Sequence, residues 1–314
     1  MSCAMRHSLR ALRVAAILAS GLAVAACDSG TAAVHQTATS ARASVAADAT
    51  KAKATAKRAA AARKAAEPRV SIARMRLQDG SLVTIAIFRG AVRYALHDGS
   101  QDPYARPGLL KDGSAVGHAE RASLLAAFNG GFKMAAEAGG YEQEGHVLYP
   151  LRPGLVSLVI DRSGHARIVV WPARGEPDEG GLGGILPPAS VYSVRQNLRP
   201  LVLNGRPAGI AADWRAWGAT LGGGEYVARS AVGQNAEGDL IYVGSMSSTP
   251  YDLAYVLARE GARTAMELDI NPAWVQLDVA RRPGGALRAE VYGQIRPADQ
   301  YEVGWTRDFV TVLG

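Results

Sequence analysis

Between Asp28 and Pro68 the chain carries almost no large apolar residue, and such a segment cannot bury enough surface to offset the entropy of ordering itself. The fold must therefore be built from Val70 onward. That remainder reads as short apolar runs parted by turn residues. The runs are Leu82 to Phe88, Val92 to Leu96, Leu155 to Ile160 with Ala166 to Trp171 across Asp161-Arg162-Ser163-Gly164, Leu201 to Leu203, Tyr226 to Val232, Leu240 to Gly244, Thr264 to Asp269 and Phe309 to Leu313. Runs of this length and composition are strands. Tyr251 to Glu260 is the clear helix: Ser248 or Thr249 can cap it, Pro250 suits its first position, Leu253, Ala254 and Leu257 form its apolar stripe, and Gly261 stops it. Ala119 to Leu125 fits either helix or strand. The expectation is an α+β fold, one domain over residues 70–314, built on a mixed, mostly antiparallel β-sheet with few helices. Gly175 to Gly184 and Trp214 to Gly224 read as glycine-rich loops, which often cover sites.

The N-terminal segments carry a different signal. Met1 to Ala26 places Arg6, Arg10 and Arg13 ahead of the apolar run Val14 to Ala26 and stops at Val24-Ala25-Ala26-Cys27, the pattern of a secretory signal. Cys27 after small residues resembles a bacterial lipobox, which makes it the lipidated first residue of a mature chain on the outer face of the bacterial cell membrane. The apolar run is too short for a transmembrane anchor. Residues 27–69 read as an Ala/Lys/Arg-rich tether, partly helical between Ser44 and Ala66. The tether holds eight Lys and Arg against three acids, so the net charge of +7 resides in the N-terminal segments and the domain is close to neutral. The basic pI therefore does not imply nucleic acid; a positive stalk suits anionic lipid or wall polymer. Cys3 leaves with the signal, so the mature chain has no pair of cysteines for a disulfide.

The chemistry-bearing stretch is Glu267-Leu268-Asp269-Ile270-Asn271-Pro272. Strand alternation sends Met266 and Leu268 into a core and Glu267 with Asp269 out of the opposite face, about 6.6 Å apart along the strand. Two carboxylates at that spacing raise each other's pKa where water is partly excluded. Phe128-Asn129-Gly130-Gly131-Phe132 follows an apolar run and reads as a strand entering a glycine turn that can approach a ligand closely. Arg229, in Val227-Ala228-Arg229-Ser230-Ala231, carries a planar fork suited to phosphate or carboxylate.

Together these segments resemble the phosphodiester glycosidase family. Its pattern is N-G-G-F-F, then a strand with R-[ST]-A-[IV]-G, then a helix and a strand ending in N-L-D-G-G-G-S. The matching stretches are Asn129 to Phe132, Arg229 to Gly233 and Ala265 to Asn271, and Arg199 to Arg206 looks like the family's P-L-L-V-x-x-G-K hairpin. Two departures stand out: Glu267 replaces the usual asparagine, and Ile270-Asn271-Pro272-Ala273-Trp274 replaces the glycine-rich tail. The resemblance implies hydrolysis of a sugar-1-phosphodiester, without a cofactor. On that reading Asp269 is nucleophile or base and Glu267 its partner. Arg229 clamps the phosphate, Asn129 with Gly130 and Gly131 shapes the pocket, and Ser230 and Asn271 belong to the substrate-binding set. Trp274 offers a face for a sugar ring.

Metal and nucleotide motifs are missing: there is no C-x-x-C, H-E-x-x-H, Walker loop or dinucleotide fingerprint. Glu267, Asp269, Asn271 and Asp278 could hold Ca²⁺, an arrangement ranked below the carboxylate pair. His97, His118, His146 and His165 are scattered, with His146 and Glu144 placed to reach the pocket beyond the glycine turn. The alternative to a hydrolase is a non-catalytic module binding wall glycan or phosphorylated polymer through Arg229 and Trp274. Either way the partner is a phosphorylated or wall-linked carbohydrate.

Overall fold

A computed structural model describes residues 50–55, 68–172 and 190–314. The signal, Cys27, most of the tether and the Gly175 to Gly184 loop lie outside the described residues. The chain divides into two units, Met1–Ala62 and Arg63–Gly314. In the first, residues 50–55 are helical, with the Thr55 hydroxyl donating to the carbonyl of Lys51. No helix among the described residues is long and apolar enough to cross a membrane.

The second unit is α+β and consists mostly of three antiparallel sheets. The largest has seven strands in the order Val70–Arg76, Leu82–Phe88, Leu240–Ser248, Val227–Gln234, Thr264–Glu267, Val202–Leu203 and Arg206–Pro207. A second runs Leu287–Ala289, Leu277–Ala280, Leu124–Asn129, Phe309–Leu313, Arg93–His97, and the third His146–Tyr149, Tyr141–Gln143, Val191–Gln196, Val156–Asp161, Ala166–Val170. The α+β, mostly antiparallel architecture is the one expected; its strands divide among three sheets, and among the described residues every pairing is antiparallel. Tight connections account for much of this, since a two-residue hairpin such as Asn204-Gly205 can only return the chain antiparallel. Both of those residues have positive φ, 53° and 77°, as such a turn requires.

The ten-residue helix Pro250–Arg259 carries the chain from Leu240–Ser248 over Val227–Gln234 to Thr264–Glu267. It starts where the sequence placed it. Thr249 accepts from the Asp252 amide, Asp252 reaches back to the Thr249 amide at 2.8 Å, and Pro250 sits in the first turn. Gly261 ends it with φ 92°.

Strand alternation divides the large sheet's side chains between two cores. Val83, Ile85, Ala231, Ile241, Val243 and Ala265 pack with the helix residues Leu253, Val256 and Leu257 and with Trp217. Ala86, Phe88, Val232, Tyr242, Met266 and Leu268 pack with Phe128, Leu158, Ile160, Val310 and Val312 of the other sheets. The candidate site forms where three strands end beside one another. These are the exit of Leu124–Asn129, the exit of Thr264–Glu267 and the entry of Phe309–Leu313, where Phe309 pairs with Asn129.

Candidate functional site

The Leu124–Asn129 strand is buried along its whole length, so its last residue is delivered into the interior. There Asn129 acts as a joint. Its side-chain oxygen accepts from the Tyr242 hydroxyl and the Gln276 amide, each at 3.1 Å, and its nitrogen donates to the Ser230 hydroxyl at 2.9 Å. Ser230 in turn donates its amide and its hydroxyl to the Asp269 carbonyl, both at 3.0 Å. The three motif segments, far apart in sequence, thus meet in one hydrogen-bonded chain.

Gly130 and Gly131 then pass close to Asp308. Gly130 donates its amide to the Asp308 carbonyl at 2.7 Å and Gly131 to its carboxylate at 3.2 Å. A Cβ on Gly130 would lie 1.9 Å from that carboxylate, and one on Gly131 would lie 2.9 Å from the Arg195 guanidinium. Glycine is required here by close approach. Gly130→Ala is expected to displace Asp308 from Arg195 and lower thermal stability by a few kcal/mol, the cost of disturbing a buried pair; an unchanged melting temperature would contradict this.

Three ion pairs underlie the region. Arg229 meets Glu267 at 2.8 Å, Arg195 meets Asp308 at 2.7 Å and Arg307 meets Asp269 at 2.5 Å, all six side chains being nearly or wholly buried. Beyond its ion pair, Arg229 donates to the carbonyls of Ser248 and Trp217. Among the described residues the second Glu267 oxygen and one Arg229 nitrogen have no hydrogen-bond partner. Arg195 also donates to the carbonyls of Gln196 and Phe132 and to the Tyr104 hydroxyl. Burial pushes the Glu267 carboxyl above its ordinary range, against the pull of Arg229, and Asp269 adds to the rise. Asp269 is pushed up to about 6, chiefly by burial, with Arg307 and the Asn271 amide opposing.

A cleft of about 230 Å³, mouth included, is lined by Asn129, Gly130, Gly131, Asp269, Trp274, Gln276, Tyr301, Thr306, Arg307 and Asp308. Of the residues singled out from sequence, Asn129, the two glycines, Asp269 and Trp274 line it, and Ser230 supports it from behind. Glu267 and Arg229 do not line it. The sequence reading puts Glu267 beside Asp269 on one open face and makes Arg229 the anion clamp. In the structure the regular strand stops at Glu267, whose side chain points to the Trp217 side and is held by Arg229. Asp269 lies beyond the strand, with its side chain toward Arg307. Among the described residues the arginine lining the cleft is Arg307, two of whose enclosed nitrogens have no hydrogen-bond partner there, one of them 3.5 Å from Asp102.

Asn271 serves the turn instead of the cleft wall. Its amide donates to Asp269 at 2.8 Å and its side chain accepts from Ala273 at 2.9 Å. This Asx turn replaces the glycine-rich tail and brings Trp274 to the cleft. Arg296 stacks over Trp274 at 5.0 Å and over the half-exposed Trp305 at 4.3 Å, forming a cationic aromatic rim. Glu144 and His146 do not reach the cleft: Glu144 accepts from the amides of Lys111 and Asp112, and His146 is exposed. The candidate Ca²⁺ set is not assembled. Glu267 and Asp269 are paired with arginines and Asp278 with two glutamine amides, and among the described residues no acidic, histidine or cysteine group could hold a metal.

Several site residues escaped the sequence reading. Arg307 and Asp308 stand just before the last strand, in Trp305-Thr306-Arg307-Asp308-Phe309, where a polar pair abutting an apolar strand was the available signal. Asn197 donates to the carbonyls of Glu267 and Leu268 and accepts from the Phe132 amide, tying two motifs together. Gly218, in the Trp214 to Gly224 loop, packs against Phe132 and Ile270 so closely that a Cβ would come within 3.0 Å of both.

Neither a family profile nor a curated protein matches the chain. Among solved structures it is similar to the catalytic domain of zebrafish N-acetylglucosamine-1-phosphodiester alpha-N-acetylglucosaminidase, auto-inhibited by its pro-peptide, at 13% identity and TM-score 0.47, over 79% of this chain and 84% of that one. It is also similar to a hypothetical protein from Synechocystis, at 12% identity and TM-score 0.42, over 79% of this chain and 64% of that one.

Proposed function

We propose that the domain is a hydrolase that cleaves a sugar-1-phosphodiester at the Asp269 cleft, without a cofactor. The observation that carries this reading is the convergence of the three motif segments on one small cleft lined by a carboxylate and the arginine paired with it. Arg307 takes the role of phosphate clamp, because it is the arginine that lines the cleft beside Asp269, and a guanidinium is suited to a phosphate. A phosphate leaving group departs as a stable anion, so clamping matters more than acid assistance. Asp269 acts as the nucleophile or base. Glu267 and Arg229 form a buried brace behind the Asp269 main chain, and Gly130 and Gly131 let the cleft wall pass close to Asp308 and Arg195. Trp274, in the cleft wall, and the Arg296–Trp305 rim offer the faces for the sugar.

The test is release of free sugar from a panel of sugar-1-phosphodiesters, N-acetylglucosamine-1-phospho compounds included. Turnover should rise with pH through about 6, because burial raises the Asp269 pKa and the reacting form is the carboxylate. A rate independent of pH across that range would remove Asp269 from that role. Saturable binding with no product at any pH would favour the non-catalytic module that binds wall glycan or phosphorylated polymer.

We also propose that the chain is exported and lipid-anchored through Cys27, on the strength of Val24-Ala25-Ala26-Cys27. Cells fed an alkyne fatty acid should label the parent and not Cys27→Ala; equal labelling of both would reject the anchor.

A further inference from the structure

Gln276 stands in the cleft wall, and its amide has a determined orientation. The side-chain nitrogen donates to Asp278 at 2.6 Å and to the Pro297 carbonyl at 3.3 Å. The Pro297 carbonyl cannot donate back, so nitrogen faces it and the side-chain oxygen faces away. That oxygen has no partner among the described residues, and it is not among the fully enclosed polar atoms.

Asp278 is itself pinned. Its second oxygen accepts from the Gln294 side chain at 2.8 Å. Gln294 cannot turn over, because its oxygen accepts from the Leu277 amide at 3.0 Å while its nitrogen also donates to the Arg296 carbonyl at 3.1 Å. Burial pushes Asp278 up to about 7 and the two amide bonds oppose that rise. No ion pair to a basic side chain involves Asp278 among the described residues, so two glutamines carry a fully buried acid. The arrangement sets the direction of one amide at the cleft.

We infer that Gln276 presents its side-chain oxygen to the ligand of this cleft, accepting a hydrogen bond from a ring hydroxyl, and that Asp278 is the positioning residue that fixes this polarity. The inference rests on the proposed sugar-phosphate reading of the site. It adds a specificity element: beside the anion on Arg307, the cleft selects a ring that carries a donor. Asp278→Asn makes a sharp prediction. With Gln294 locked, the new amide must turn its oxygen to Gln294 and its nitrogen to Gln276. Gln276 is then drawn two ways, its nitrogen held by the Pro297 carbonyl and opposed by the new amide nitrogen, so its oxygen is no longer fixed toward the cleft.

The experiment is calorimetric binding of N-acetylglucosamine 1-phosphate, and of analogues with one ring hydroxyl replaced by fluorine, to the full-length protein. Fluorine cannot donate. The parent should bind one analogue about tenfold more weakly than the unmodified ligand, the scale of one hydrogen bond left unmade. Asp278→Asn should abolish that preference, and Gln276→Met should abolish it while the other analogues keep their order. If the parent binds the ligand and all analogues alike, or if a folded Asp278→Asn keeps the parent's preference, the inference fails while the site reading stands. If Asp278→Asn does not fold, Gln276→Met decides by the same criterion, retained preference rejecting the inference. If the parent binds none of the probes, the sugar-phosphate reading itself falls and takes the inference with it.

Discussion

Asp269→Asn is expected to abolish sugar release in a protein that still folds, at a stability cost of a few kcal/mol because the buried Arg307 loses its main counter-ion. The side chain is isosteric, its oxygen can still accept from the Asn271 amide, and Arg307 keeps its contact with Asp102. What is lost is the carboxylate, and losing a nucleophile or general base typically costs on the order of 10²- to 10⁴-fold in rate. The buried Arg307 charge is also left without its main counter-ion, so anion binding should hold or strengthen while turnover collapses. That split between affinity and rate distinguishes a catalytic Asp269 from one that merely holds Arg307 in place. Steady-state kinetics beside phosphate-ligand affinity would measure it, and a proportional loss of both would assign Asp269 a structural role.

Glu267→Gln and Glu267→Ala address the other half of the acidic pair. Arg229 is fully buried, and Glu267 is its one ionic partner among the described residues. Removing the carboxylate strands a permanent charge, and breaking such a pair from one side costs roughly 3–5 kcal/mol. For a domain of this size that corresponds to a fall in melting temperature of about 6–20 °C. Replacing both partners, as in Arg229→Met with Glu267→Leu, should recover much of the loss, because no lone charge remains. Thermal unfolding of the two singles and the double would test this. Full additivity of the single losses would show that the pair is not coupled, and loss of turnover without loss of stability in Glu267→Gln would return Glu267 to the reaction itself.

The fold was largely legible where side chains follow burial. Leu82–Phe88 and Phe309–Leu313 have the boundaries that their apolar runs indicate, and the Pro250–Arg259 helix begins at its capping box. Ala119 to Leu125, ambiguous between helix and strand, divides into the helical turn His118–Arg121 and the strand from Leu124. Val191–Gln196 was hidden because its buried half is Ser193, Val194, Arg195 and Gln196. Such a polar run becomes a core strand only when Asp308, far along the chain, supplies the counter-charge. Leu277–Ala280 was hidden likewise by Asp278, which needs Gln294 and Gln276.

The site shows the same division. Asn129, the paired glycines and Asp269 were readable because close approach and strand ends leave local marks. Arg307 was not, since its pairing with Asp269 depends on two strand ends meeting in space. The reading of Glu267 and Asp269 as a side-by-side pair assumed that the strand continues. Ser230 instead captures the Asp269 carbonyl, the Asx turn at Asn271 begins at once, and the two carboxylates separate toward different arginines.

The most direct test is a crystal structure of Asp269→Asn with an intact N-acetylglucosamine-1-phosphodiester bound. The account predicts the phosphate on Arg307, the anomeric carbon facing residue 269 and the sugar against Trp274. A diester bound elsewhere on the domain, or a cleft left empty at saturating ligand, would contradict it.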